Sequence, residues 1–242
     1  MSTLVKPFVV LKPVARENYW HSMGQTKVAV VCHTTGGSLA GTDAWFNNPI
    51  SQASTNFAIG QAGEIHQYID PAGLNAPAAN GLVRRPNGMF PILYEQQGRV
   101  NPNFWTVSIE HEGFPSREIK TEPMLESSLV LAAWVCQQFR ILPDRSHFFS
   151  HTEIDAQKPD PGWSEEFWNY YLAQIAARLK EDNMPPTPEF EALKAEVAAL
   201  KAEIERVRQG SWNNDVATRR SFEILFEAMQ RVFNMWQTGA IQ

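Results

Sequence analysis

The stretch KVAVVCHTTGG, residues 27–37, limits the possible folds of this chain more than any other. It is a short, valine-rich apolar run that stops at Gly36-Gly37, which predicts a buried strand ending at His33. Such a strand has to be covered, and the flanking sequence offers both strands and helices. TNFAIGQAGEIHQYI (55–69) has two strand-like halves around Gly60-Gln61-Ala62-Gly63 and predicts a hairpin. TVSIEHEGF (106–114) alternates, with Val107, Ile109 and His111 on one face and Ser108, Glu110 and Glu112 on the other. Helix-start chemistry at Thr121, Glu122 and Pro123 opens an amphipathic run to Arg140, and residues 164–180 form a second one. Mixed strands and helices predict one α/β domain with a central sheet over residues 1–182. The Pro/Gly/Asn-rich segment 71–104 reads as a long loop, a length usually tied to function or mobility.

The composition changes at NMPPTPE (183–189), a stiff Pro-rich linker. Beyond it, residues 190–209 carry a heptad pattern. Phe190, Val197 and Ile204 take position a, and Leu193, Leu200 and Val207 take position d. Glu189, Glu196 and Glu203 at g then face Lys194, Lys201 and Arg208 at e of a parallel partner, so the pattern predicts a coiled-coil homo-oligomer, a dimer first. Residues 210–242 add an amphipathic helix with Phe222, Phe226, Met229, Phe233 and Trp236 on one stripe. That stripe suits a helical bundle of two or more chains, a partner, or a cell-envelope surface.

Several partners are argued against. A net charge of −5 leaves no basic surplus to neutralise phosphates, so nucleic acid is not expected. Cys32 and Cys136 are the only cysteines, and neither has a neighbour at metal-ligand spacing; a reducing site of synthesis fits. The first twenty residues contain no apolar signal core, and no run is long enough to span a bilayer, which predicts synthesis in the cytoplasm without a signal peptide.

Among six histidines, two sit in contexts suited to chemistry. His33 ends an apolar strand beside glycines, and His151 precedes the bend-forming Asp160-Pro161-Gly162. A catalytic zinc takes three protein ligands and keeps one position open. His33, His151 and Asp160 would supply two imidazoles and a carboxylate. Zinc acidifies water and polarises a carbonyl, and the reaction also needs a base and a cation for the developing oxyanion. Glu110 and Lys158 fit those parts; Glu112, on the same face as Glu110, is the competing carboxylate. Cys32, next to His33 on a strand, points away from it, and His111 faces opposite Glu110. Trp45 is either a stacking platform for a sugar or the packing of a helix end, and Trp163 either walls a groove or anchors the next helix.

VVCHTTGG, STNFAIGQAGEIHQYI, TVSIEHEGF and the H-x6-K-P-D-P-G pattern occur in the order seen in the zinc-dependent N-acetylmuramoyl-L-alanine amidases of the amidase-2 type. The chain resembles that family, which includes phage endolysins and is related to the peptidoglycan recognition proteins, over about residues 25–180. The resemblance implies a central mixed β-sheet flanked by helices, with a zinc-lined groove on one face. It matches His33, His151 and Asp160 to the metal ligands, Glu110 to the acid/base and Lys158 to transition-state stabilisation. It implies hydrolysis of the amide between N-acetylmuramic acid and L-alanine in peptidoglycan, by an endolysin released through a holin. A recycling amidase for soluble muropeptides and a non-catalytic peptidoglycan-binding protein are the alternatives. Thr55 stands where some members have a catalytic tyrosine, which aligns the chain with the Glu-dependent branch. Asn56 stands where many have histidine and, with Trp45 and Trp163, is a candidate substrate contact. Residues 71–80 lack the family's Trp-His-Ala-Gly-like segment, so no contact carries over there.

Overall fold

The valine run does form a strand, and it lies within a mixed sheet. The computed structural model describes residues 4–21 and 24–181. The expected linker at 183–189, the heptads at 190–209 and the helix at 210–242 lie outside the described residues. In chain order the elements are β1 (Val10–Leu11), a short 3-10 turn (Arg16–Asn18), β2 (Tyr19–His21), β3 (Ala29–Thr34), α1 (Leu39–Phe46), β4 (Phe57–Ile59) and β5 (Ile65–Gln67). They continue with β6 (Asn75–Pro77), α2 (Phe90–Gln96), α3 (Pro102–Trp105), β7 (Thr106–His111), α4 (Glu122–Phe139), β8 (Phe148–Ser150), α5 (His151–Ile154) and α6 (Glu165–Glu181). The main sheet has the order β1-β5-β4-β7-β3-β8, and β2 pairs separately with β6. Strands β4, β7, β3 and β8 run parallel, β5 turns back antiparallel to β4, and β1 follows β5.

Alternation along the strands divides their side chains between two layers. Val30, Cys32, Phe57, Ile59, Val107 and Ile109 meet α4 and α6, where Leu131, Val135, Trp168, Tyr171 and Ile175 close the main core. Burying each such large apolar side chain contributes roughly 1.5–3 kcal/mol. In α4 the buried positions Met124, Ser128, Leu131, Ala132 and Val135 recur at three- and four-residue steps, the period of one helix face. Cys32 lies in this core, on the side away from His33. On the opposite face Ala29 and Val31 pack with Phe90, Trp105, Phe149 and Ile154. The same face is open further along, past the carboxyl ends of β3 and β7. Grooves for ligands form at that end of parallel strands.

The segment 71–104 is not the unbroken loop that its composition suggested. It contains β6, α2 and α3, elements of three, seven and four residues. Phe90 stacks on Tyr94 and on Trp105, and meets Phe149 edge-on. Tertiary packing of aromatics therefore holds helices too short to be stable alone.

Candidate active site and metal centre

Parallel pairing of β3 with β7 sets His33 beside Glu110 in register, so both side chains leave the same face. His151 comes from the first turn of α5, directly after β8, which pairs with the other edge of β3. That turn is fixed by a capping box: Glu153 accepts hydrogen bonds from the backbone N–H (2.9 Å) and hydroxyl (3.1 Å) of Ser150. Arg145 in turn binds the Glu153 carboxylate at 2.8 Å. The loop that follows is tied back by Thr152, whose hydroxyl donates to the Lys158 carbonyl at 2.6 Å and whose N–H donates to the Asp160 carbonyl at 3.2 Å. Gly162, at φ +77°, completes the bend in a backbone conformation that suits glycine.

These elements bring the three ligand candidates together. The Nδ1 atoms of His33 and His151 are 3.1 Å apart, and Asp160 Oδ2 lies 3.3 Å from the first and 3.2 Å from the second. All three residues are buried. A tetrahedral zinc with bonds of about 2.0–2.1 Å has ligand–ligand edges of about 3.3–3.4 Å, close to this triangle. The donor set fits too. His151 Nε2–H donates to the carbonyl of Asn80 at 3.2 Å, which leaves Nδ1 of the neutral ring with a lone pair aimed at its neighbours. Two imidazole nitrogens and a carboxylate oxygen in mutual contact suit a bound cation. Burial and the neighbouring His151 lower the pKa of His33, keeping it in the neutral form that a ligand needs. Burial pushes the Asp160 carboxyl up, but the imidazoles of His151 and His33 in contact with it outweigh that effect and hold the group well below the usual carboxylate range.

Glu110 faces the same groove and is 9% exposed, with Oε2 buried and lacking a hydrogen-bond partner. Burial, reinforced by the negative charge of Asp160 and opposed by Lys158, pushes its pKa up to about 8. Lys158 lies on the exposed rim of the groove. The groove has a volume of about 500 Å³ and runs from the histidines past Gly36, Gly37 and Thr42 to Trp45, which is 52% exposed. A Cβ placed on Gly37 would meet nothing within 4 Å.

The other candidates separate from this site. Asn56 is fully buried; its Nδ2 donates to the Ile69 carbonyl at 3.0 Å and its Oδ1 accepts from the Ser108 N–H at 2.9 Å. With both ends of the amide engaged inside the protein, it has nothing to offer a substrate. Trp163 is 8% exposed and packs among His111, Phe167, Trp168 and Tyr171 behind the sheet, which makes it an anchor for α6. Glu112 accepts hydrogen bonds from the backbone N–H of Leu39 (3.0 Å) and Gln61 (2.8 Å), so its carboxylate caps α1. His111 is buried; Ser128 Oγ lies 2.8 Å from its Nε2 and the His33 carbonyl 3.0 Å from its Nδ1. Sequence reasoning missed Asn80 and Thr152, because nothing in their local context marks them.

Fold and site together define a hydrolase scaffold of the amidase-2 class. The N-acetylmuramoyl-L-alanine amidase family profile matches residues 24–163, more than half the chain, and the chain belongs to that family. N-acetylmuramoyl-L-alanine amidase A of Achromobacter lyticus is 26% identical over 183 residues, covering 67% of this chain and 90% of the relative. Among solved structures, a selenomethionine derivative of AmpD has a TM-score of 0.50 at 17% identity, covering 66% of this chain and 93% of that one. A point mutant of PlyL also reaches 0.50, at 12% identity, with 71% and 99% covered. Both likenesses establish the fold, with its central mixed sheet between helices.

Proposed function

We propose that this amidase cleaves the bond between N-acetylmuramic acid and L-alanine in peptidoglycan, with zinc held by His33, His151 and Asp160. The observation that carries the reading is the 3.1–3.3 Å triangle of facing lone-pair atoms beside an unpartnered, buried Glu110. When bound, zinc supplies a Lewis acid that acidifies water and polarises the amide carbonyl. Glu110 removes a proton from the attacking water, whose oxygen bonds to the lactyl carbonyl carbon. As the carbon–nitrogen bond breaks, Glu110 returns that proton to the alanine nitrogen, and a free amine leaves. A divalent cation next to Glu110 offsets the charge of Asp160 and favours the carboxylate, the form that a base requires. Lys158 at the rim places an ammonium near the carbonyl oxygen, where negative charge develops.

The arm of the groove beyond the histidines suits the substrate's sugar or peptide. Trp45 offers a half-exposed aromatic face for stacking, and Gly37 leaves the floor clear of any side chain. Intact cell wall is the substrate favoured here, as for an endolysin that reaches it through a holin. The support comes from the heptads read in the sequence, since linked catalytic heads gain avidity for a polymer but not for a soluble fragment. Rates on intact sacculi well above those on soluble muropeptides are expected, and the reverse order would favour a recycling role.

Replacing Glu110 by Gln tests the chemistry. Amide cleavage, read as new alanine amines released from sacculi, should fall about 10²–10⁴-fold while zinc content and thermal stability stay near those of the parent. Cleavage within a few-fold of the parent rate would remove Glu110 from the mechanism.

A further inference from the structure

Asn80 is 0% exposed and lies in the segment whose sequence suggested only a loop. Three of its four polar groups are engaged. Its N–H donates to Asn103 Oδ1 at 2.9 Å, its Nδ2 donates to Thr106 Oγ1 at 3.0 Å, and its carbonyl accepts from His151 Nε2 at 3.2 Å. The fourth, Oδ1, is buried without a partner, and so is Nε2 of His33. These two atoms belong to neighbouring side chains, since Asn80 is among the hydrogen-bonding groups around the His33 ring. Both residues flank His151: the Asn80 carbonyl is 3.2 Å from its Nε2, and the His33 ring meets it edge-on with centroids 4.5 Å apart. In the present arrangement the two atoms do not meet as a hydrogen bond.

We propose that Asn80 is a positioning residue for the metal centre and sets the tautomer of both ligating histidines, one through its backbone carbonyl and one through its side-chain Oδ1. The proposal rests on the zinc site described under Proposed function. A neutral imidazole that presents Nδ1 to a cation carries its proton on Nε2, and a buried N–H is stable there only with an acceptor. For His151 the acceptor is already the Asn80 carbonyl. For His33 it is Asn80 Oδ1, the unpartnered acceptor on a side chain that already acts on that ring. Thr106 explains why oxygen and not nitrogen is the free end of the amide. Its hydroxyl donates to the Pro102 carbonyl at 2.8 Å, so its lone pairs receive the Asn80 Nδ2–H and turn Oδ1 away from Thr106. A carbonyl from a covalently fixed backbone and a side chain clamped at its other end give both histidines one rigid support.

The test is zinc affinity, measured on the full chain stripped of metal and titrated with zinc against a chromophoric chelator. Asn80→Ala should bind zinc about 10–100-fold more weakly than the parent chain. Asn80→Asp keeps an acceptor oxygen towards His33, and the Thr106 hydroxyl can turn from the Pro102 carbonyl to donate to its other oxygen, so its zinc affinity should stay within about threefold of the parent or tighten. Unfolding curves of the metal-free proteins report packing separately. A purely structural role would lower the melting temperature of Asn80→Ala while leaving zinc affinity unchanged, and that result would overturn the proposal. Should Asn80→Ala not fold, Asn80→Asp decides alone, and a loss of affinity greater than about threefold would overturn the proposal. Failure of the parent chain to take up zinc would be a different result: it removes the metal site itself, and the inference with it.

Discussion

Glu110 and Lys27 are both buried ionisable side chains, and burial moves their pKa values in opposite directions, each towards the uncharged form. In the groove, that favours the protonated carboxyl of Glu110. Lys27, 3% exposed just before β3, donates to the Phe104 carbonyl at 2.6 Å, and burial brings its pKa down to about 8 from an ordinary 10.5. Its folded-state value is the lower one, so between pH 8 and 10.5 the unfolded chain binds more protons and stability rises with pH. The penalty is therefore complete below about pH 8 and gone once the pH exceeds 10.5. Lys27→Met should stabilise the protein by about 1–2 kcal/mol at pH 7, the lost hydrogen bond to Phe104 offsetting part of the gain. Thermal unfolding at pH 7 and near pH 10.5 checks this, since the gain should shrink at the higher pH. An equal gain at both would mean that burial of the charge is not the cause. At this scale the convergence of the candidate site was largely legible: His33, His151, Asp160, Glu110 and Lys158 line one groove. Asn56 and Trp163 did not follow, because an amide or an indole reads the same in sequence whether its partners are substrate or protein.

The elements most visible in the sequence were those with a period long enough to read. The valine strand, the Gly60–Gly63 hairpin, the alternating strand and the two long helices all have counterparts in β3, β4–β5, β7, α4 and α6. Strand β6 and helices α2 and α3 were invisible because they are short and depend on contacts made elsewhere in the chain, such as Phe90 against Phe149. Helix α1 depends on a similar remote contact. Ser38 caps it locally by accepting from the Gly41 N–H at 3.1 Å, while Glu112, at the end of β7, accepts from the Leu39 N–H and also holds Gln61 of the hairpin turn. One carboxylate thus joins the groove wall to two other parts of the fold and complements the positive end of the α1 dipole. Glu112→Ala should lower stability by about 1–3 kcal/mol in urea unfolding, since it leaves two backbone donors unpaired. It should also slow cleavage of sacculi by shifting Thr42 and Trp45, with zinc affinity retained. Unchanged stability would show that water replaces the carboxylate without loss.

Among the described residues no helix is long and apolar enough to cross a membrane, and the family match spans residues 24–163, with β1 and the core-closing α6 lying on either side of it. The heptads at 190–209 are a further expectation, read from sequence alone. If they pair as the g–e charges suggest, the full chain is a dimer or larger, and a chain ending at residue 182 is a monomer with undiminished activity on soluble muropeptides. Light scattering of the two proteins decides it, and equal mass per chain in both would dismiss the coiled coil. The central claim concerns the domain that precedes them: that His33, His151 and Asp160 hold the zinc on which amide cleavage depends. Its most direct test is to strip the full-length protein of metal, add zinc in measured steps, and follow alanine amines released from sacculi. Cleavage should be absent in the stripped protein, rise with each addition and level off at one zinc per chain, with His33→Ala showing no recovery. Full cleavage by the stripped protein, or recovery in His33→Ala equal to that of the parent, would contradict the account.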